Sequence, residues 1–185
     1  MSGACHRLDS CTYYYDKTLT TRGRVPVTRY GELLAMAVMA LCIGVLVYAF
    51  DRQANHVYFL PAWLSAYNGH GGLFGLLGNY LPTFIHVYVF ILLTVVVAGL
   101  SESRVLLACF SWFAIDSLFE IAQLEPIARW LAGHVPTWFN GIPFLENTSS
   151  YFLHGTFDVL DLLSIAAGTL AARLTCQLLP KGTEK

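Results

Sequence analysis

The stretch VLLACFSWFAIDSLFEIAQL, residues 105–124, decides the fold. Its length matches the ~20 residues an α-helix needs to cross a hydrocarbon core, and its body is aliphatic and aromatic. Yet it carries Asp116, Glu120 and Gln123, which at i, i+4 and i+7 share one helix face. A charged side chain at the bilayer centre costs at least ~2.5 to 3.5 kcal/mol on insertion scales, so such residues usually face a bundle interior and carry a task. The segment reads as a membrane span that needs helical neighbours.

Three further stretches supply them, at 32–50, 81–100 and 156–179. The 185-residue chain is 56% hydrophobic and only 12% charged, with a mean hydropathy of +0.55, too apolar for an ordinary soluble domain. The expected fold is all-α, a polytopic membrane protein built as a four-transmembrane-helix bundle. Residues 1–30 and 180–185 form its tails. The short connection Ser101 to Arg104 makes the second and third spans antiparallel neighbours. The two longer connections, 51–80 and 125–155, hold Trp63, Tyr67, Trp130, Trp138 and Tyr151, side chains that favour the headgroup level. Both loops are therefore expected along the outer interface, with room for a short helix within 56–66 or 127–132.

Charge sets the orientation. Of the 11 Lys and Arg residues, all but Arg52 and Arg129 lie before span one, between spans two and three, or at the C-terminal end. The positive-inside rule then puts both termini in the cytoplasm. About thirty mostly polar residues precede the first apolar run, with no cleavage pattern, so span one is expected to stay attached. A net charge of -1 and the lack of a basic stripe give no footprint for nucleic acid. The five cysteines form no CxxC pair, which argues against a disulfide framework.

A second polar group opens the last span. Asp158 and Asp161 are spaced i, i+3, and Gly168 and Ala172 continue much the same stripe with small residues suited to close helix contact. Thr156 reads as the N-cap, with Asp158 in the first turn. Counting inward at 1.5 Å per residue, His86 lies ~8 Å down span two, level with Glu120 and Asp161. The expected site is a pocket near the outer leaflet formed by His86, Glu120 and Asp161, with Gln123 and Asp158 above and Asp116 below. Trp112 extends the same face inward. The inner halves of spans one, two and four read as apolar, which argues against a continuous ion pathway.

Packed carboxylates cannot all stay ionised and can share protons, which suits acid/base work. With His86 they can also serve as ligands to a divalent cation. The bland alternative is that these groups hydrogen-bond across helices and hold the bundle, each contributing ~0.6 to 2 kcal/mol. His70, His134 and His154 lie in the outer loops and extend the site only if those loops fold over it. Arg129 is placed to pair with Glu120 or Glu125, a pairing that argues for structure. Three roles stand open: binding a polar envelope molecule or lipid headgroup, an intramembrane enzyme using the carboxylates as acid and base, or a structural partner whose Gly168 and Ala172 stripe docks another membrane protein.

The run Phe119-Glu120-Ile121-Ala122-Gln123, followed after a loop by Gly155-Thr156-Phe157-Asp158-Val159-Leu160-Asp161 and Gly168, resembles the VanZ-like family of bacterial membrane proteins. In that family an E-x-x-Q closes one helix and an aspartate with a downstream glycine marks the next. Leu81 to His86 and Trp112 resemble divergent members, so the likeness spans about residues 75–175. It departs from the commoner pattern at Gly155, where a nearby arginine is missing, and at Ile165, where an asparagine is common. The resemblance implies that Glu120, Gln123, Asp161 and Gly168 occupy motif positions. It also implies a place in the bacterial cytoplasmic membrane and an envelope role linked to glycopeptide-antibiotic tolerance.

Overall fold

The computed structural model describes residues 27–51, 72–143 and 145–179. The expected tails, apart from the last residues of the first, and most of the glycine-rich loop with His70 lie outside the described residues. Every described element is helical: α1 Val27–Asp51, α2 Leu77–Ala98, α3 Glu102–Ile121, α4 Glu125–Gly133, α5 Thr148–His154 and α6 Val159–Leu178, with short 3₁₀ turns at Thr137–Phe139 and Leu145–Asn147. Three of them, α1, α2 and α6, are long and apolar enough to cross a membrane. Helix α3 passes that test only jointly with α4, to which it is bent by 92°.

Helix α2 is the centre of the bundle and packs against α1, α3 and α6, while α3 also packs against α6. Its own residues Val87, Ile91, Leu92 and Val95 are wholly buried. The outer faces are the reverse of a soluble protein's. Met39, Leu107, Phe110, Leu118, Leu163 and Leu170 stand exposed, part of an apolar surface far larger than a soluble monomer tolerates. Lipid is no worse a solvent than protein for such side chains, so the helices are held by close contact and hydrogen bonds rather than by the hydrophobic effect.

Close contact is clearest at Gly168. A Cβ there would sit 2.6 Å from the backbone oxygen of Phe84 and 2.5 Å from Val87 Cγ1, so only glycine lets α6 approach α2 this closely. Ala172 is also fully buried. The small-residue stripe at Gly168 and Ala172 thus lies in an interface inside the chain.

Hydrogen bonds reach deeper than the sequence implied. Trp112 Nε1 donates to Thr94 Oγ1 at 2.8 Å, joining α3 to α2, and the Tyr88 and Thr175 hydroxyls meet at 3.2 Å between α2 and α6. The inner half of the bundle is therefore not purely apolar. These hydroxyls are consumed in ties between helices.

Arginines gather at one end. Arg29 Nη2 donates 3.0 Å to the backbone oxygen of Cys176, and Arg104 Nη1 donates 2.6 Å to that of Ala98. Each thus satisfies a carbonyl in the last turn of α6 or α2, where a helix leaves its oxygens unpaired and its dipole favours a cation. Arg173 lies 3.7 Å from Glu102 at the same end.

The helix limits correct several expectations. Helix α2 starts at Leu77 rather than at Leu81, so His86 lies roughly nine residues, or ~14 Å, into it. Helix α3 stops at Ile121, because Pro126 cannot continue a helix but fits the first turn of a new one. Gln123 accordingly sits in the bend and not on the α3 face. The short helix expected at 127–132 is α4.

Candidate functional site

The acidic end of the bundle is where the C-terminal part of α3, the first turns of α2 and the start of α6 meet. Each pair of these helices is tied there by one carboxylate. Glu120 Oε1 accepts the backbone N–H of Asp158 at 2.7 Å, joining α3 to α6. Asp161 Oδ1 accepts from Thr83 Oγ1 at 2.8 Å, joining α6 to α2. Asp116 Oδ2 lies 3.1 Å from His86 Nδ1, joining α3 to α2. The three ties close a triangle around the end of the bundle.

Local chemistry explains the placement. Gly155 and Asp158 are extended, and Asp158 is the N-cap of α6, its side chain accepting from the Leu160 N–H at 2.9 Å. Thr156, the expected cap, lies two residues too early. Asp158 thus satisfies one of the four N–H groups that a helix start leaves unpaired. Glu120 satisfies the N–H of the cap residue itself from across the bundle. Both carboxylates sit where the helix dipole favours negative charge.

The acids differ in exposure. Glu120 and Asp116 are buried, at 6% and 9% exposure, whereas the His86 side chain is 51% exposed. The histidine packs against Phe90, ring centroids 4.5 Å apart, and edge-on to Trp112 at 6.3 Å. With Asp116 on Nδ1, its Nε2 is left clear of that bond. Ser117 does not serve Asp116, since its buried hydroxyl has no hydrogen-bond partner among the described residues.

Gln123 links the triangle to the segment above it. Its Nε2 is 3.3 Å from Glu120 Oε2 and 3.2 Å from the Tyr151 hydroxyl. Its Oε1 would lie only 2.6 Å from a Cβ at Gly155, so any side chain there would push Gln123 aside. On the α5 segment, partial burial, followed by the charge of Glu120, holds the Tyr151 phenol above its ordinary value. The same Gln123 lines a groove of about 380 Å³ bounded by Glu125, Arg129, Phe152, Gly155 and Phe157. That is the size of a small-molecule site.

The expected set is therefore brought together, but in a different register. His86 was placed level with Glu120 and Asp161. It instead pairs with Asp116, one turn deeper, and Thr83 takes the place beside Asp161. The reason is the early start of α2. Arg129 pairs with Glu125 at 2.9 Å on the exposed face of α4, leaving Glu120 to the α6 backbone. His134 bonds the Trp130 carbonyl at 2.7 Å and His154 that of Ser150 at 2.9 Å, so neither joins the site. Among the described residues no group of three or more His, Cys, Asp or Glu side chains is arranged to hold a metal ion.

Two participants were missed. Thr83 lies three residues before His86, so the i, i+3 spacing on α2 carried the signal. Tyr151 was read only as an interface anchor, and nothing in its local sequence points to Gln123. No protein-family model, curated protein or solved structure matches the chain.

Proposed function

We propose that the chain is a four-span protein of the bacterial cytoplasmic membrane, both termini cytoplasmic, whose acidic end binds a polar envelope molecule or lipid headgroup near the outer leaflet. In this arrangement α3 is the fourth span and α4 runs along the interface. The observation that carries the reading is the double role of Gln123. It hydrogen-bonds Glu120 and Tyr151 and at the same time lines the groove beside them. A ligand lying in that groove reaches the carboxylates through Gln123. A carboxylate has about four lone-pair sites, so Asp161 and Glu120 keep acceptor capacity after tying the helices. The sign of the site favours ligands that bring donors or positive charge, such as amines and sugar hydroxyls. The gathering of Arg29, Arg104 and Arg173 at the opposite end supports the orientation, and the VanZ-like motif positions support an envelope role linked to glycopeptide-antibiotic tolerance.

The test is mass spectrometry of species that copurify in native lipid with wild type, Glu120→Gln and Asp161→Asn. The expected outcome is a species held by wild type and lost from both folded variants. If all three carry the same species, the acids only hold the bundle and the binding function is wrong.

A second reading is favoured by the His86 and Asp116 geometry: an intramembrane enzyme acting on a lipid-linked substrate. A buried carboxylate on Nδ1 fixes the imidazole so that Nε2 can take a proton. This reading requires His86→Gln to abolish turnover of the copurifying species while leaving its binding intact.

A further inference from the structure

Away from the acidic end, a groove of about 340 Å³ runs between α3 and α6, lined by Leu106, Phe110 and Phe113 on one side and Ala166, Leu170 and Arg173 on the other. The two helices are antiparallel here, because Arg173 lies against Glu102 at the start of α3. The groove therefore has direction. It begins at a guanidinium and extends over about seven residues of each helix, or ~10 Å, along apolar and aromatic walls. One leaflet of hydrocarbon is ~15 Å deep, half of a ~30 Å core. A cation at the membrane surface, followed by an apolar channel reaching two-thirds of the way to the midplane, has the shape of a lipid with a negative headgroup.

Charge distinguishes this arginine from its neighbours. Arg29 is buried with Nη2 on Cys176 O, and Arg104 is turned onto Ala98 O. Arg173 instead stands half exposed, and its 3.7 Å approach to Glu102 is longer than a hydrogen bond. Its donors remain able to take a phosphate oxygen, with Glu102 the acid described across the groove mouth. The Thr169 hydroxyl does not make the wall polar, because it donates to Ile165 O at 2.8 Å within its own helix.

We propose that this groove is a binding site for an anionic phospholipid, the phosphate on Arg173 and one acyl chain along Phe110, Phe113 and Leu170. The site is separate from the acidic end and does not depend on its function.

The experiment uses the full chain reconstituted in bilayers containing a phosphatidylglycerol or a phosphatidylcholine probe with a diazirine on one acyl chain. Crosslinks are mapped by peptide mass spectrometry. A juxtamembrane basic residue is worth about 1 kcal/mol toward anionic lipid, or about fivefold. Residues of the groove are thus expected to be labelled about fivefold more by the phosphatidylglycerol probe. Arg173→Gln should bring the two probes to parity while Arg173→Lys keeps most of the preference. Ala166→Phe, which fills the exposed wall of the groove, should cut labelling by both probes. Equal labelling by the two probes in wild type, or a preference that survives Arg173→Gln, overturns the proposal. So does undiminished labelling in Ala166→Phe, since Arg173 would then act as a bare surface charge.

Discussion

The Glu120 carboxylate accepts the Asp158 backbone N–H at 2.7 Å, so the first turn of α6 is completed by a side chain from α3. At the far end of α6, Arg29 from α1 takes the Cys176 carbonyl. An acid at the N-terminus and a base at the C-terminus both complement the dipole of the same helix. Helix α6 is held at each end by a charge of the right sign from a different helix. The acid that looks most anomalous in a span is thus part of the reason that span has a fixed position.

Removing this acceptor leaves a part-buried N–H without its partner, which costs ~1 kcal/mol, the low end of the range for a buried donor. Glu120→Ala is expected to lose that amount. Glu120→Gln keeps an oxygen in place and should lose less than half of it. Unfolding free energies in mixed micelles check the order, and equal losses for the two variants would show that charge rather than hydrogen bonding holds α6.

Much of this was legible in the sequence, for identifiable reasons. Apolar length marks a span without any knowledge of its partners, so α1, α2 and α6 were found, with ends shifted by up to five residues. Helical spacing marks a face, so Asp116 and Glu120 were placed on one side of α3, and Asp158 and Asp161 together at the start of α6. Depth was not legible. It depends on where a helix begins, and the first turn of α2 lies in a stretch whose glycines read as loop. The 92° bend after α3 was missed because hydropathy continues through Leu124. Pro126 carried the signal, since a residue without an N–H belongs in a first turn. The fate of Gly168 was open for a different reason, because close packing on a helix of the same chain and on another protein demand the same small residue.

That ambiguity makes Gly168 a sharp position for mutation. The group nearest an added Cβ includes the Phe84 backbone oxygen, which cannot rotate away as a side chain can. Gly168→Ala should force α2 and α6 apart at a cost of ~1 to 3 kcal/mol, the range for overpacking a tight interface. Gly168→Leu should yield no folded protein. The measurement is the folded monomer fraction by size-exclusion chromatography with circular dichroism. A folded Gly168→Leu monomer would place the stripe on the outside.

Tyr151 gives a pH dependence whose sign follows from its surroundings. Partial burial and the nearby Glu120 charge raise its phenol, so the folded protein prefers the protonated form more than the unfolded chain does. The resulting stability is complete below the ordinary value of ~10 and is lost as pH rises through the higher folded value. The difference in absorbance at 295 nm between wild type and Tyr151→Phe should show a phenol ionising later than a free tyrosine. An ordinary midpoint would mean that Tyr151 is neither sheltered from water nor close to the Glu120 charge.

Gly155 tests the link between Gln123 and the groove. Its backbone has φ -67, which any residue can adopt, so Gly155→Ala meets no conformational penalty. The added methyl nevertheless collides with Gln123 Oε1. Gln123 should be displaced from Glu120 and Tyr151, weakening retention of the copurified species about as much as Gln123→Ala does. Because the two changes act through one side chain, the double variant should be no worse than either single one. Additive losses would separate Gly155 from Gln123.

His86 and Asp116 provide the measurement that separates structural ties from chemistry. Their 3.1 Å contact joins a buried carboxylate to a half-exposed imidazole, and hydrogen bonds between membrane helices couple by ~0.6 kcal/mol on average and ~1.7 kcal/mol at most in double-mutant cycles. A cycle of His86→Ala, Asp116→Ala and the double variant should fall in that range. Asp116→Asn keeps a side-chain oxygen for Nδ1–H, so it should recover part of the coupling while removing the charge that stabilises an imidazolium. If retention of the copurified species follows stability through the whole series, the pair is a fastener between α2 and α3. If Asp116→Asn restores stability but not turnover of that species, the carboxylate charge itself is needed for proton transfer, and the enzymatic reading gains the support that a hydrogen bond alone cannot give it.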